Sequence, residues 1–253
     1  MRTVLAITRK ELESYFASPI AYVVTTLFLV LAGIFFYIYL LFYLQSAQMA
    51  GAYGGGEGVD VTQTIMRPLF SNLGFFGLII FPLITMRLLA EEKKQGTFEL
   101  LMTSPVSTGQ LVLGKFLGAA SLVLLILLLT SVYPIVLLIF DHPDMGPILT
   151  GYLGLFLLAS SFIAVGIFCS SVTENQIVAA VLAFVFLVIF WILNFVTRSE
   201  AWYGKLAQYA SIYQRFDDFT QGVINLNDAF YYVSFTFFAL FVAGIVLQSQ
   251  RWK

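Results

Sequence analysis

Six apolar windows that contain no Asp, Glu, Lys, Arg or His constrain this sequence more than any other feature. Each window is about 20 residues long, which is enough for a helix to cross the roughly 30 Å hydrocarbon core of a bilayer. A buried soluble core could hold one such helix, but hardly six in succession. The windows cover residues 20–44, 68–86, 116–140, 147–171, 177–197 and 229–247.

The composition leads to the same fold class. Only 11% of the 253 residues are charged, against about 25% in an average soluble domain. Runs such as 122–129 show no alternation of apolar and polar residues, which excludes the strands of a β-barrel. The sequence therefore predicts one all-α integral membrane domain over residues 1–253. The net charge of −1 and the lack of a basic tract give no indication of nucleic-acid binding.

The distribution of Lys and Arg predicts the orientation in the membrane, because cytoplasmic connections carry an excess of both residues. With six crossings, nine of the 13 Lys and Arg residues fall on the side of the two termini, and four fall on the opposite side. Both termini and the connection 87–115 are therefore expected in the cytoplasm. The connections 45–67 and 198–228 are expected outside it.

An amphipathic helix is predicted before the first span, over residues 1–19. Leu5, Leu12 and Phe16 fall on one side of a helical wheel, and Arg9 falls on the other. Such a helix lies flat in the membrane interface with its apolar side in lipid. The pattern leaves open the alternative that the helix packs on the protein's own spans.

The polar connection 87–115 contains the signals of a second short helix. Thr97 is of a residue type that caps helix N-termini, and it is predicted to start a helix over residues 98–104. Pro105 stops this helix, because proline cannot continue the backbone hydrogen bonding. Such a helix is well placed to receive force from a soluble partner, although it could also serve only to anchor the connection. Its apolar face consists of Phe98, Leu101 and Met102.

Two signals concern the third span. Ser107 precedes Gln110 by three residues, the spacing of a capping box, which predicts a helix start at this point. Pro134 lies inside the apolar window and is predicted to kink or break the span near its outer end.

The outer connections suggest no catalytic site. The glycine-rich run 51–58 lacks the Gly-Lys-Ser/Thr that completes a phosphate-binding loop, so it is interpreted as an extracytoplasmic loop. Residues 198–228 are rich in Trp, Tyr and Phe, which is typical of short interfacial or re-entrant helices. Within them, the adjacent Asp217 and Asp218 are more typical of solvated or helix-capping carboxylates than of acid–base catalysis.

The residues do not indicate an enzyme. The only histidine, His142, lies in a short outer connection, and no His, Cys, Asp or Glu cluster has metal-ligand spacing. Ion-coupled transporters usually keep an ionisable group inside the membrane, and none of the six windows contains one. The chain also lacks a P-loop. If it moves a substrate uphill, the simplest source of energy is a partner.

Four stretches of the sequence carry a resemblance to a known family. They are residues 10–12 with 18–22, residues 92–106, residues 216–224, and the final Arg251-Trp252. Together they resemble the membrane subunit of an ABC-2 type (type V) ABC transporter, and most closely the permease associated with bacterial gliding motility. The second stretch is specific to the superfamily, and the third helps to select the subfamily.

The resemblance implies six transmembrane helices, an N-terminal interfacial helix, and a cytoplasmic coupling helix between spans 2 and 3. The coupling helix would dock in a groove of a separate ATPase subunit, and the connection 172–176 would make a second contact. The implied coupling residues are Glu91, Glu92, Gly96, Thr97, Phe98, Glu99, Leu100, Leu101, Thr103, Pro105, Glu174 and Asn175. The implied extracytoplasmic interfacial segment contains Phe216, Asp217, Asp218, Phe219 and Gly222.

The resemblance also implies partners and a location. Two cytoplasmic ABC ATPase subunits would bind ATP and Mg²⁺, while this chain would bind no cofactor and perform no catalysis. A second copy of the permease or a homologous one would complete the membrane part. A membrane-anchored auxiliary subunit with an extracytoplasmic domain would be a further neighbour. The protein itself would lie in the bacterial cytoplasmic (inner) membrane.

The function expected from the resemblance is that of a permease which couples ATP hydrolysis to export or to conformational work across the membrane. Two alternatives remain at this point. One is mechanical transmission to an extracytoplasmic partner without passage of a substrate. The other is a channel or scaffold that needs no nucleotide.

Overall fold

The computed structural model describes residues 2–52, 60–98, 106–141, 143–196 and 211–250. All regular secondary structure in these ranges is helical. Six helical stretches are long and apolar enough to cross a membrane, which confirms the predicted fold class. They are Pro19–Met49, Thr62–Lys94, Thr108–Phe140, Met145–Val172, Gln176–Leu193 and Leu226–Gln250.

Ten α-helices and one short π-helical turn make up the described part of the chain. In chain order they are α1 (Arg2–Ala17), α2 (Pro19–Ala52), the π-helical turn Thr62–Met66, α3 (Arg67–Thr85), α4 (Arg87–Lys94), α5 (Thr108–Thr130), α6 (Val132–Phe140), α7 (Met145–Val172), α8 (Gln176–Val196), α9 (Ile212–Thr220) and α10 (Leu226–Gln250).

Helix α7 occupies the centre of the bundle. Of its most apolar window, 78% is buried, compared with 11% for α2 and 17% for α8. It packs against α3, α5, α8, α9 and α10. Glycines allow this close approach, because a Cβ added to Gly166 would lie 1.9 Å from Thr85 Oγ1, and one added to Gly154 would lie 2.5 Å from Phe219 Cβ. The small residues of the fourth span therefore serve helix packing.

Helix α1 packs along α5. A Cβ at Gly114 would lie 2.7 Å from Ile7, and one at Gly118 would lie 2.7 Å from the Glu11 Cβ. Leu5, on another side of α1, remains exposed. Helix α1 thus packs on the protein's own spans, which is the alternative that the sequence pattern left open. Part of its apolar surface stays exposed and can contact lipid.

The structure corrects two boundaries that hydropathy alone predicted. Helix α2 continues to Ala52, eight residues past the predicted end of the first span, and a π-helical turn follows Asp60. The predicted loop 45–67 is therefore partly helical, although residues 53–59 of its glycine-rich run lie outside the described residues. Helix α4, over Arg87–Lys94, was not predicted.

The third span confirms both of its sequence signals. Ser107 Oγ accepts a hydrogen bond from the Gln110 amide at 3.3 Å, and Gln110 Oε1 accepts one from the Ser107 amide at 3.3 Å. This capping box starts α5 at Thr108, eight residues earlier than the apolar window. The span then breaks at Ser131, three residues before Pro134, and α6 begins at Val132.

The close contact between α3 and α7 generates a test of the packing. We expect Gly166→Ala to lower the free energy of unfolding by about 1–3 kcal/mol, because the added methyl group overpacks a filled interior. Gly244→Ala is the matched control, since a Cβ there meets nothing within 4 Å. Thermal unfolding in detergent should show a lower midpoint for the first variant only. Equal midpoints would contradict this account of the α3–α7 contact.

Candidate functional site

The predicted site residues that the structure describes lie at two opposite ends of the bundle. The α1 end contains α1, α4, the start of α5, the connection 172–176 and the end of α10, which are joined by side-chain hydrogen bonds. The α9 end contains α9, the start of α3, the start of α7 and the start of α10. Of the predicted coupling residues, those that the structure describes lie at the α1 end.

A buried ion-pair cluster joins three helices at the α1 end. Lys115 of α5 is 1% exposed, and its Nζ lies 2.7 Å from Glu11 Oε1 of α1 and 2.8 Å from Glu92 Oε1 of α4. A buried ammonium is costly unless carboxylates pair with it, so these contacts hold the three helices in a defined arrangement. We call these residues the Lys115 cluster.

The cluster carries one more negative than positive charge. Glu92 Oε2 is buried and has no hydrogen-bond partner among the described residues. The cluster borders a cleft of about 620 Å³ that is also lined by Lys10, Ser14 and Arg87. Of these residues, Lys10 lies close enough to Glu92 to stabilise its ionised form, which reduces the electrostatic cost of burying two carboxylates with one ammonium.

Sequence reasoning identified Glu92 but missed Glu11 and Lys115. A signal was present, because Gly114 and Gly118 flank Lys115 at a small-xxx-small spacing, which marks a close helix approach. A lysine placed on such a face is buried by the neighbouring helix and requires an acidic partner. Only the packing of α1 on α5 shows that Glu11 is one of the two partners.

Helix α4 is seated on the C-terminal end of α7. Ser170 Oγ accepts hydrogen bonds from the Leu89 and Ala90 amides at 3.1 and 3.0 Å, and it donates to the Met86 carbonyl at 3.0 Å. The first amides of a helix lack partners within that helix, so Ser170 caps α4 from another helix. Lys93 Nζ also donates to the Ser171 carbonyl.

The connection 172–176 lies beside α4 in the structure. The connection 172–176 follows Ser171 directly, and Ser171 accepts the hydrogen bond from Lys93 of α4. In that connection Glu174 is exposed. Asn175 Oδ1 accepts from the Ile177 amide at 2.9 Å, so Asn175 caps the start of α8. The structure therefore places 172–176 beside α4 on one surface.

Helix α4 ends in a turn that leads into the predicted coupling helix. Gly96 has a φ of 71°, the left-handed conformation that commonly follows a helix end, and its amide donates to the Lys93 carbonyl at 3.1 Å. Thr97 and Phe98 have a helical backbone conformation. The Thr97 hydroxyl donates to the Glu92 carbonyl at 3.2 Å, and Phe98 packs against the core with Lys93 Nζ 5.4 Å from its ring centroid.

The predicted coupling residues therefore divide into those that the structure describes and those that it does not. Glu91, Glu92 and Thr97 line the 620 Å³ cleft together with α1. The helix over 98–104, and any cap that Thr97 provides to it, stays a prediction. The residues that lie outside the described part of the chain are Glu99, Leu100, Leu101, Thr103 and Pro105.

At the α9 end, two phenylalanine side chains anchor α9 in the bundle. Phe216 and Phe219 are fully buried. They lie against positions where a Cβ would be too close, since one at Gly74 would lie 3.2 Å from the Phe216 ring and one at Gly154 would lie 2.5 Å from Phe219. Gly222, with a φ of 90°, ends this segment against Pro147. Interfacial placement of the segment stays a prediction.

The acidic residues of α9 take part in ion pairs and buried contacts. Asp217 pairs with Arg67 at 3.1 Å, so it is not merely a solvated carboxylate as its sequence suggested. Arg215 pairs with the buried Asp228 at 2.7 Å. Burial and the nearby Asp228 carboxylate raise the pKa of Asp218. Among the described residues, no group of three or more His, Cys, Asp or Glu side chains could hold a metal ion.

The Lys115 cluster generates a second prediction. We expect Lys115→Met to lower the free energy of unfolding by about 3–5 kcal/mol, because it leaves two buried carboxylates unpaired. Adding Glu11→Gln and Glu92→Gln should restore part of the loss. Lys94→Met, which removes the same charge from an exposed position of α4, should have little effect.

The measurement is thermal or denaturant unfolding of the purified variants in detergent. A Lys115→Met protein as stable as the parent would show that the cluster does not hold the helices together. Failure of the two glutamine substitutions to restore any stability would show that the loss has a cause other than unpaired carboxylates.

A comparison with known families matches nearly the whole chain. The sequence model of the family described as "ABC-2 family transporter protein" covers residues 5–248, from α1 to α10. No curated protein matches the chain.

Proposed function

Because the chain belongs to the ABC-2 family of transporter proteins, we propose that it is the permease subunit of an ATP-driven transporter whose ATPase is a separate chain. Membrane proteins of this family are generally non-catalytic subunits that work with ATPase subunits. Two ATPase subunits would bind ATP and Mg²⁺ at the α1 end, which would face the cytoplasm of a bacterium. A second permease would complete the membrane part.

The observation that supports this proposal most strongly is the connection of α4 to the rest of the bundle. The Lys115 cluster links α4 to α1 and α5, and Ser170 links it to the central helix α7. These contacts are buried, and a buried ion pair resists displacement because separating it leaves unpaired charges in the interior. A force on the segment that follows Gly96 would therefore move several spans together.

The surface at the α1 end suits a single docking partner. Glu91 of α4 and Glu174 of the connection 172–176 lie on neighbouring segments joined through Lys93 and Ser171. One ATPase subunit could thus contact both segments at the same time. ATP-driven closure of the ATPase pair would displace both, and the packed spans would transmit the movement toward the α9 end.

Whether the movement leads to export or to mechanical work would depend on how α9 responds to it. Phe216 and Phe219 lie between α3 and α7, so relative movement of these spans would change the packing of both side chains. The residues 216–224 favour the gliding-motility-associated group, in which a membrane-anchored subunit with an extracytoplasmic domain is the expected neighbour. ATP-dependent uptake of a defined substrate by reconstituted vesicles would identify export, and its absence with intact ATPase activity would identify mechanical work.

The docking surface generates a third prediction. We expect the double variant Glu91→Lys and Glu174→Lys to reduce recovery of the ATPase subunit by about tenfold, because charge reversal at an interface replaces attraction by repulsion. The measurement is co-purification of the co-expressed ATPase with the tagged permease from membranes. Glu13→Lys is the matched control, since Glu13 is an exposed residue of α1 that pairs only with Arg9 among the described residues.

Two results would count against the assignment. Recovery of the ATPase with the double variant at the level of the parent chain would show that this surface is not the docking site. Full biological activity in cells that lack every candidate ATPase would show instead that the protein needs no nucleotide.

A further inference from the structure

A cleft of about 760 Å³ at the α9 end lies apart from the docking surface. Its walls come from the outer half of α2, the start of α3 and helix α9. The residues that determine its chemistry are Ile38, Tyr39, Phe42, Arg67, Asn72 and Asp217.

The dimensions of α2 place this cleft at the edge of the membrane. An α-helix rises about 1.5 Å per residue, so Tyr39 lies about 30 Å along α2 from Pro19. That distance equals the thickness of the hydrocarbon core, and the first turn of α2 adjoins Ser18, which lines the charged cleft at the α1 end. The second cleft therefore lies in the boundary region between the hydrocarbon core and the headgroups of the opposite leaflet.

One wall of the cleft is apolar and open to lipid. Ile38 and Phe42 are four residues apart on α2, and both are exposed. They continue the exposed apolar surface of α2, along which acyl chains pack in a bilayer. Tyr39, between them in sequence, turns inward and its hydroxyl accepts a hydrogen bond from Asn72 Nδ2.

The opposite wall presents a cation with unused hydrogen-bonding capacity. Arg67 Nη2 donates to both oxygens of Asp217, at 3.3 and 3.1 Å, and Nη1 lies 3.5 Å from Gln63 Oε1, at the limit of a hydrogen bond. A guanidinium has five N–H donors, and Arg67 Nε has no partner among the described residues. The side chain is 37% exposed and lines the cleft, so a ligand in the cleft can reach the guanidinium.

Asp217 has little capacity for a ligand of its own. Its Oδ2 also accepts from Gln221 Nε2 at 2.8 Å, while the Thr220 hydroxyl donates to the Asp217 backbone carbonyl at 2.7 Å and lies 3.4 Å from Oδ1. A carboxylate has about four acceptor sites, and Arg67 and Gln221 occupy three of them. The carboxylate therefore orients Arg67 and partly neutralises it, while the remaining donors of the guanidinium stay available to an anion.

We propose that this cleft binds the phosphodiester headgroup of a phospholipid from the leaflet at the α9 end. Arg67 contacts the phosphate, for which the planar guanidinium is well suited, and the acyl chains lie against Ile38 and Phe42. A free phosphate would use only the polar wall, whereas a phospholipid uses both. The site requires only that the bundle spans a membrane, so it does not depend on the proposed partnership with an ATPase.

The test compares lipids with the same acyl chains in nanodiscs that contain the full chain and no nucleotide. Native mass spectrometry counts the lipid molecules that each chain retains. We expect retention of phosphatidylglycerol and phosphatidylethanolamine, but not of a phosphate-free glucosyl diacylglycerol. Glycerol 3-phosphate in solution should not displace them, because it lacks the acyl chains.

Two substitutions should act in opposite directions. Arg67→Gln should weaken phospholipid retention about tenfold, as expected for loss of a hydrogen bond to a charged group. Asp217→Asn should strengthen it, because the neutral amide no longer competes for the guanidinium. Arg9→Gln, which removes an exposed arginine at the α1 end, should leave retention unchanged.

Three results would overturn the proposal. Equal losses in the Arg67 and Asp217 variants would show that the ion pair is only structural. Equal retention of the phosphate-free lipid would show unspecific lipid contact, and displacement by glycerol 3-phosphate would show a site for free phosphate. If Arg67→Gln does not fold, the Asp217 variant and the lipid series on the parent chain still decide.

Discussion

The burial of one lysine organises the end of the bundle at which α1, α4 and α5 meet. An ammonium removed from water requires anionic partners, and Lys115 finds one on α1 and another on α4. Because the two glutamates come from different helices, neutralising the charge also determines where α1 and α4 lie. The glycines on either side of Lys115 make this possible by letting the backbone of α1 approach α5 closely.

Close packing around α7 turns these local contacts into a connected body. Its glycines bring α3 and α9 into direct contact with it, and Ser170 and Ser171 at its C-terminal end hold α4. Helix α7 thus contacts α4, which forms part of the proposed docking surface, at one end and α9 at the other. Interiors packed in this way transmit displacement rather than absorb it, because there is no free volume into which side chains can yield.

The sequence predicted the spans well and the polar surfaces less well, for identifiable physical reasons. The capping box at Ser107 and the break before Pro134 are local signals, which act within a few residues and were therefore readable. The extension of α2 to Ala52 and the whole of α4 were missed because hydropathy marks where a chain enters and leaves lipid, not where a helix ends. Their Ala, Gln, Leu, Glu and Lys residues are good helix formers, so propensity would have been the better guide there.

The sequence alone determined that the chain is an all-α bundle with six spans. Each apolar window matches the thickness of a bilayer, and local signals mark where helices start and break. Only the tertiary structure decided which charges meet. Glu11 and Lys115 are 104 residues apart, and Arg67 and Asp217 are 150 apart. No periodicity within one helix can specify such partners, because they are chosen by the packing of glycine-bearing faces that bring distant segments together.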